Sequence, residues 1–171
     1  MVNLISSVYS HRRLCLLLYC LGNALVVCTV ASFVVSLVVF AIDSLWGAVG
    51  FVAITAVPFA LVSFFRRAFN APRPAEVYSF DETFVYANRK RGRSFPSRHV
   101  FSAFVIGTAL CFLAPVFGIL ICAFGLVLGV CRALLGIHFV RDVVAGALIG
   151  ICSGIIGHLI VNIGLLPLVI K

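Results

Sequence analysis

The sequence predicts an all-α fold: a polytopic membrane helix bundle of about five transmembrane helices, with its ionisable residues gathered at one membrane face. Three observations predict it. Only 11% of the 171 residues are charged, while 63% are hydrophobic. Four stretches carry no charge at all: Leu14 to Ile42, Leu45 to Phe65, Val100 to Val130 and Val143 to Ile170. Each reaches the roughly 20 apolar residues that a helix needs to cross the hydrocarbon layer, a length that a soluble core does not require. Third, ten of the 13 Lys and Arg cluster between these stretches.

The first stretch is read as a helix over 14–42. It is about twice as long as a secretory h-region and lacks a small-residue cleavage site, so it is expected to be retained. A second helix over 45–65 follows a two-residue turn. Val100 to Val130 is divided at Ala114-Pro115, because proline inside a helix removes a donor and clashes with the preceding turn. The resulting helices, 99–114 and 116–136, are short for a crossing at 1.5 Å per residue; neighbours or a locally thinner bilayer accommodate such lengths. The last helix is placed over 139–166. One integral-membrane domain, 1–171, accounts for the chain, with the polar stretch 66–98 as its interfacial loop.

Five crossings put the N-terminus, the 66–98 loop and the 132–142 turn on one side. Arg12, Arg13, Arg66, Arg67, Arg73, Arg89, Lys90, Arg91, Arg93, Arg98, Arg132 and Arg141 fall there, and Lys171 alone falls on the other side. Positive residues in short loops favour the cytoplasm. The charged face is therefore expected at the cytoplasmic side of the cell membrane. The seven cysteines lie scattered in apolar segments without metal-ligand spacing, as small hydrophobes do.

Three separated stretches reach this face: "RRAFNAPRP", "PSRH" and "CRALLGIHFVRD". If the last helix starts near His138, then His138 and Asp142 share one face at i, i+4. Asp142 can then hold one imidazole nitrogen and free the other to attack, with histidine as nucleophile. His99, at another helix start, is placed to protonate a leaving oxygen. Arginines from separate segments supply permanently charged forks for a phosphoryl group, and a helix start adds backbone N–H groups. Taken singly, each has a plain structural reading: a helix-surface pair, a snorkelling arginine, an N-cap serine. Together they stand beside the bilayer, where ionisable groups are costly and usually functional.

Arg66-x6-Arg73-Pro74, Pro96-Ser97-Arg98-His99 and Cys131-Arg132-x5-His138-x3-Asp142 together resemble the three-part signature of the type 2 phosphatidic acid phosphatase superfamily, K-x6-R-P, P-S-G-H and S-R-x5-H-x3-D. The resemblance implies a membrane phosphatase with His138 as the nucleophile that becomes phosphohistidine, Asp142 as its orienter and His99 as acid, then base. It implies phosphate binding by Arg73, Arg132 and Ser97, with Arg66 at the usual lysine position. No metal or other cofactor is required in that family. Two further departures stand out. Arg98 replaces glycine and offers an extra phosphate contact or a grip on a second charged group. Cys131 replaces serine.

A site at the interface implies a membrane lipid phosphate as substrate and the bilayer as partner, with no nucleic acid. On a cytoplasmic face the candidates are phosphatidylglycerol phosphate, phosphatidate or a polyprenyl-linked sugar phosphate; polyprenyl pyrophosphate recycling belongs to the outer face. In the loop, Tyr78, Phe80, Phe84 and Tyr86 suit the interface, and the basic run either attracts anionic headgroups or is a solvated anchor beside Asp81 and Glu82. Rival readings are a lipid phosphotransferase, a polyprenyl pyrophosphate phosphatase and a non-catalytic anionic-lipid-binding protein. A transporter would show a broken-helix repeat or a polar midplane site, and neither is visible. His11 is read as interfacial, and His158, four residues before Asn162, as a polar packing contact.

Overall fold

A computed structural model describes residues 2–78 and 91–169, with side chains over 5–78 and 91–161. The readings made for Phe80, Asp81, Glu82, Phe84, Tyr86, Arg89, Lys90, Asn162 and Lys171 fall outside the described residues or side chains. Among the described residues there are seven helices and no strand: α1 (Val2–Ser10), α2 (Arg12–Asp43), α3 (Leu45–Phe69), α4 (Pro74–Val77), α5 (Arg98–Cys111), α6 (Pro115–Leu134) and α7 (Val140–Val169). The five predicted helices correspond to α2, α3, α5, α6 and α7. Four of them are long and apolar enough to span a membrane, and α5 is a shorter apolar helix of 14 residues. The chain is a membrane protein built as a helix bundle.

Helix ends follow local chemistry. Ser44 closes α2 and caps α3, its hydroxyl accepting from the Gly47 N–H at 3.2 Å. Asn70 ends α3 in the left-handed conformation, φ 44°, with its N–H on the Arg66 carbonyl. Pro115 opens α6 at its first turn, where the missing N–H costs nothing. The α3 helix runs four residues past its predicted end, because Arg66 and Arg67 break the hydropathy pattern but have good helix propensity. Arg66 therefore sits on a rigid helix rather than in a loop.

The shortest of the five, α5, is the central one. Nine of its 14 residues are buried, from Val100 to Leu110, and it packs against α3, α6 and α7. Phe101, Val105 and Ala109 join Phe51, Ile54, Val62 and Ile121 in the main core cluster. Neighbours wrap it through small residues. A Cβ on Gly146, Gly150 or Gly154 of α7 would lie 2.6 Å from the Ser97 carbonyl oxygen, 2.8 Å from that of Phe101 and 2.7 Å from Thr108 Cβ. On the other side, a Cβ on Gly118 of α6 would lie 2.4 Å from the Cys111 nitrogen. Such close approach is how helices pack where lipid removes the hydrophobic drive between them. The outward faces are apolar: Leu17, Val27, Val35, Leu61, Phe64 and Ile119 are all exposed.

The first helix, α1, was not foreseen. Its Val8 packs with Cys15, Leu135 and Ile137, and the Tyr9 hydroxyl donates to the Leu135 carbonyl at 2.8 Å. It thus braces the turn between α6 and α7. Of the unplaced histidines, exposed His11 bonds locally through Nδ1 to the Ser7 carbonyl or the Ser10 hydroxyl. His158 of α7 stacks on Phe112, just past α5, with ring centroids 3.8 Å apart.

Candidate active site

The two N-terminal arginine positions are fixed by loops stitched together. The Ser94 N–H donates to the Ala71 carbonyl at 2.9 Å, joining the segment after α3 to the segment before α5. Arg66 then donates through Nη1 to the Ser94 carbonyl (3.0 Å) and to the Pro96 carbonyl. Arg73 donates from Nε to the Gly92 carbonyl at 3.0 Å and from Nη1 to the Ile137 carbonyl at 3.3 Å. Glu76 accepts from the Arg73 and Gly92 amides, at 3.2 and 2.6 Å. Gly92 has φ 64°, and a Cβ there would fall 2.3 Å from Asn70 Oδ1, so glycine is required on both counts.

His138 lies in the turn before α7 rather than on the helix. Its Nδ1 is 3.6 Å from Asp142 Oδ2, beyond a good hydrogen bond. The link is completed by Ser94, whose hydroxyl donates to Asp142 Oδ2 at 2.5 Å and lies 3.3 Å from His138 Nδ1. The Phe139 N–H adds a 3.0 Å bond to the same carboxylate oxygen. Nδ1 is thereby engaged on the protein side, which leaves Nε2 for the cavity that His138 lines. Both His138 and Asp142 are almost wholly buried. Burial holds the His138 imidazole below its ordinary pKa; Asp142 opposes this, and the Arg73 and Arg66 guanidiniums push the same way as burial.

These groups open on a cavity of about 620 Å³ at one end of the bundle. Of the eight predicted site residues, Arg66, Arg73, Arg98, His99, Arg132 and His138 line it. Asp142 stands behind His138. Ser97 does not line it: the residue is fully buried, its N–H donates to the Asp142 carbonyl at 2.8 Å, and its hydroxyl has no hydrogen-bond partner among the described residues. Arg132 is buried at the end of α6 and donates from Nη2 to Asn23 Oδ1 at 3.2 Å, while its Nε–H has no acceptor among the described residues. Arg98 is half-buried, with its guanidinium 5.4 Å from the Phe59 ring centroid. Cys131 is buried beside Arg132, away from the lining.

The sequence reading missed Ser94, Asn23, Tyr19, Arg91 and Arg93, which take part in or line the site. Asn23 carried a signal, a polar amide inside a long apolar helix. Among the described residues no group of three His, Cys, Asp or Glu side chains is placed to hold a metal ion. Chemically the site offers a neutral imidazole, a second histidine and a dense guanidinium field, a combination suited to an anionic group with several oxygens.

Comparison with known proteins agrees with this geometry. Residues 47–163 match the family model described as the PAP2 superfamily. Among solved structures, the crystal structure of Aquifex aeolicus LpxE aligns with a TM-score of 0.59 and 27% sequence identity, over 83% of this chain and 92% of that one. No curated protein matches the chain.

Proposed function

The chain belongs to the PAP2 superfamily, and from that premise we propose that it is a lipid phosphate phosphatase working without a metal, through a phosphohistidine. The observation that carries the proposal is the Ser94-bridged His138–Asp142 arrangement opening on an arginine-lined cavity. His138 Nε2 attacks phosphorus, the P–O ester bond breaks, and His99 protonates the departing lipid oxygen. His99 then takes a proton from water, whose oxygen attacks phosphorus, breaks the N–P bond and releases inorganic phosphate. Asp142, through Ser94, keeps the proton on Nδ1 and supports the positive ring.

Arg73, Arg132, Arg66 and Arg98 hold the phosphoryl oxygens, and the Arg132 Nε–H, without an acceptor among the described residues, supplies a donor already in place. Preorganised donors of this kind stabilise developing charge most effectively in a dry site. Ser97 is a less direct contributor, anchoring the start of α5 to α7. The substrate class is a lipid phosphate of a cytoplasmic leaflet: phosphatidylglycerol phosphate, phosphatidate or a polyprenyl-linked sugar phosphate. The Lys and Arg distribution supports that face of the cell membrane. Labelling of Arg12→Cys by an impermeant thiol reagent from the outside would overturn the orientation.

The test of activity is inorganic phosphate release from a panel of lipid phosphates by detergent-purified protein in EDTA, beside His138→Ala. Release that survives EDTA and is lost in the variant is expected. Folded protein that binds anionic lipid but releases nothing would support the non-catalytic reading instead.

A further inference from the structure

We infer that the outer rim of this cavity is a second anion subsite formed by Arg67, Arg91 and Arg93, and that the lipid phosphate it serves carries a further anionic group, a phosphodiester or a second phosphate. The inference rests on the phosphatase reading above and narrows its substrate class.

The cations stand in two tiers. Arg66, Arg73 and Arg132 are buried and already donate to carbonyl oxygens or to Asn23. Arg67, Arg91 and Arg93 are exposed, line the same cavity, and have no ion pair among the described residues. Among the described residues the lining, with Arg98, holds seven guanidiniums and neither an Asp nor a Glu. One phosphate monoester carries at most about two negative charges, and the inner arginines suffice for it. The volume, about 620 Å³, is of the size that takes a whole drug-sized group, so a headgroup with a second charge fits where a lone phosphoryl would leave most of the space unused.

The rim is also built rather than draped. Gly92 is buried and held on both sides, its N–H on Glu76 and its carbonyl on Arg73. Clamping the middle residue presents the two flanking arginines to the cavity. Arg93 adopts the left-handed conformation, φ 53°, which a side chain with a Cβ adopts only at a cost. Such conformations collect at ligand clamps, and an arginine serving only as a topological charge needs none. Of the three candidate substrates, phosphatidate lacks a second anionic group, whereas phosphatidylglycerol phosphate and a polyprenyl-linked sugar phosphate have one.

The test compares kcat/KM for phosphate release from those three lipids, using full-length wild-type protein, Arg91→Gln, Arg93→Gln and Arg93→Gly. The wild type should prefer at least one two-anion lipid over phosphatidate by about tenfold or more, the scale of a lost hydrogen bond to a charged group. Each substitution should reduce that preference about tenfold, mainly through KM, and Arg93→Gly should match Arg93→Gln because glycine keeps the backbone while removing the charge. Should the Arg93 variants fail to fold, Arg67→Gln carries the same expectation. No preference in the wild type, or variants that lose all lipids in equal proportion, would overturn the subsite. Folded wild type that releases phosphate from none of them would overturn the phosphatase reading, and this inference with it.

Discussion

Ser94 is the residue on which the site geometry depends most and which no motif pointed to. It joins His138 and Asp142 across 44 and 48 residues of sequence, and the first of the two serines in "RSFPSRH" gives no sign of such a partner. The cavity-lining Arg66, Arg98 and Arg132 were legible because each carries a charge beside an apolar run; Ser94 was not, because only tertiary structure gives it its bonds. Ser94→Ala is expected to lower kcat by roughly ten- to a hundredfold, the equivalent of one hydrogen bond to a charged group, with KM little changed. Steady-state kinetics on any turned-over lipid phosphate checks this, and an unchanged kcat would remove Ser94 from the mechanism. His138 also sets a pH dependence. Its folded pKa lies below the ordinary value of about 6.5, because burial penalises the charged ring, so the imidazole proposed as nucleophile stays neutral below that pH. The acid limb of kcat/KM should fall under about 6.5. The unfolded chain binds the proton more readily, so the stability linked to His138 is full above the unfolded pKa and is lost as pH falls through the folded one. Thermal midpoints in detergent should therefore fall on acidification, and less steeply in His138→Ala.

At the scale of elements, hydropathy located all five apolar helices of the bundle, since uncharged runs of that length have few alternatives in a bilayer. It misjudged ends where charge and helix propensity disagree, as at Arg66–Phe69, and it missed α1, whose nine residues are too few to stand out as a crossing. The stripe Gly146-x3-Gly150-x3-Gly154 was in the sequence, but its meaning depends on α5 lying against it. Two substitutions separate packing from positioning. Gly146→Val and Gly118→Val each drive a side chain into a neighbouring backbone and should cost about 1–3 kcal/mol of stability. Only Gly146 touches the Ser97 carbonyl at the start of α5; displacement of about 1 Å there should cost near a hundredfold in kcat/KM. Gly118 sits at the far end of the bundle and should leave kcat/KM close to wild type. Equal losses of activity in both variants would mean that the α5 start is not specifically held.

Across the whole molecule, every element end that borders the cavity is at one end of the bundle: the close of α3 and α6, the start of α5 and α7, and the first turns of α2. The clustering of charge was legible in the sequence: all ten arginines among the described residues lie at or beside these element ends. The cavity's shape was not, since it is drawn by loops folding back on arginine side chains.

The 14 residues of α5 span only about 21 Å at 1.5 Å per residue, against a hydrocarbon layer of about 30 Å. On the proposed phosphatase reading, with α5 centred in that layer, His99 in its first turn would set the reacting atoms below the headgroup plane rather than above it. A lipid substrate would then keep its chains in the membrane throughout turnover and arrive by two-dimensional diffusion. Rate should accordingly follow the mole fraction of substrate among the surrounding amphiphiles, falling as inert detergent or lipid is added at constant bulk concentration.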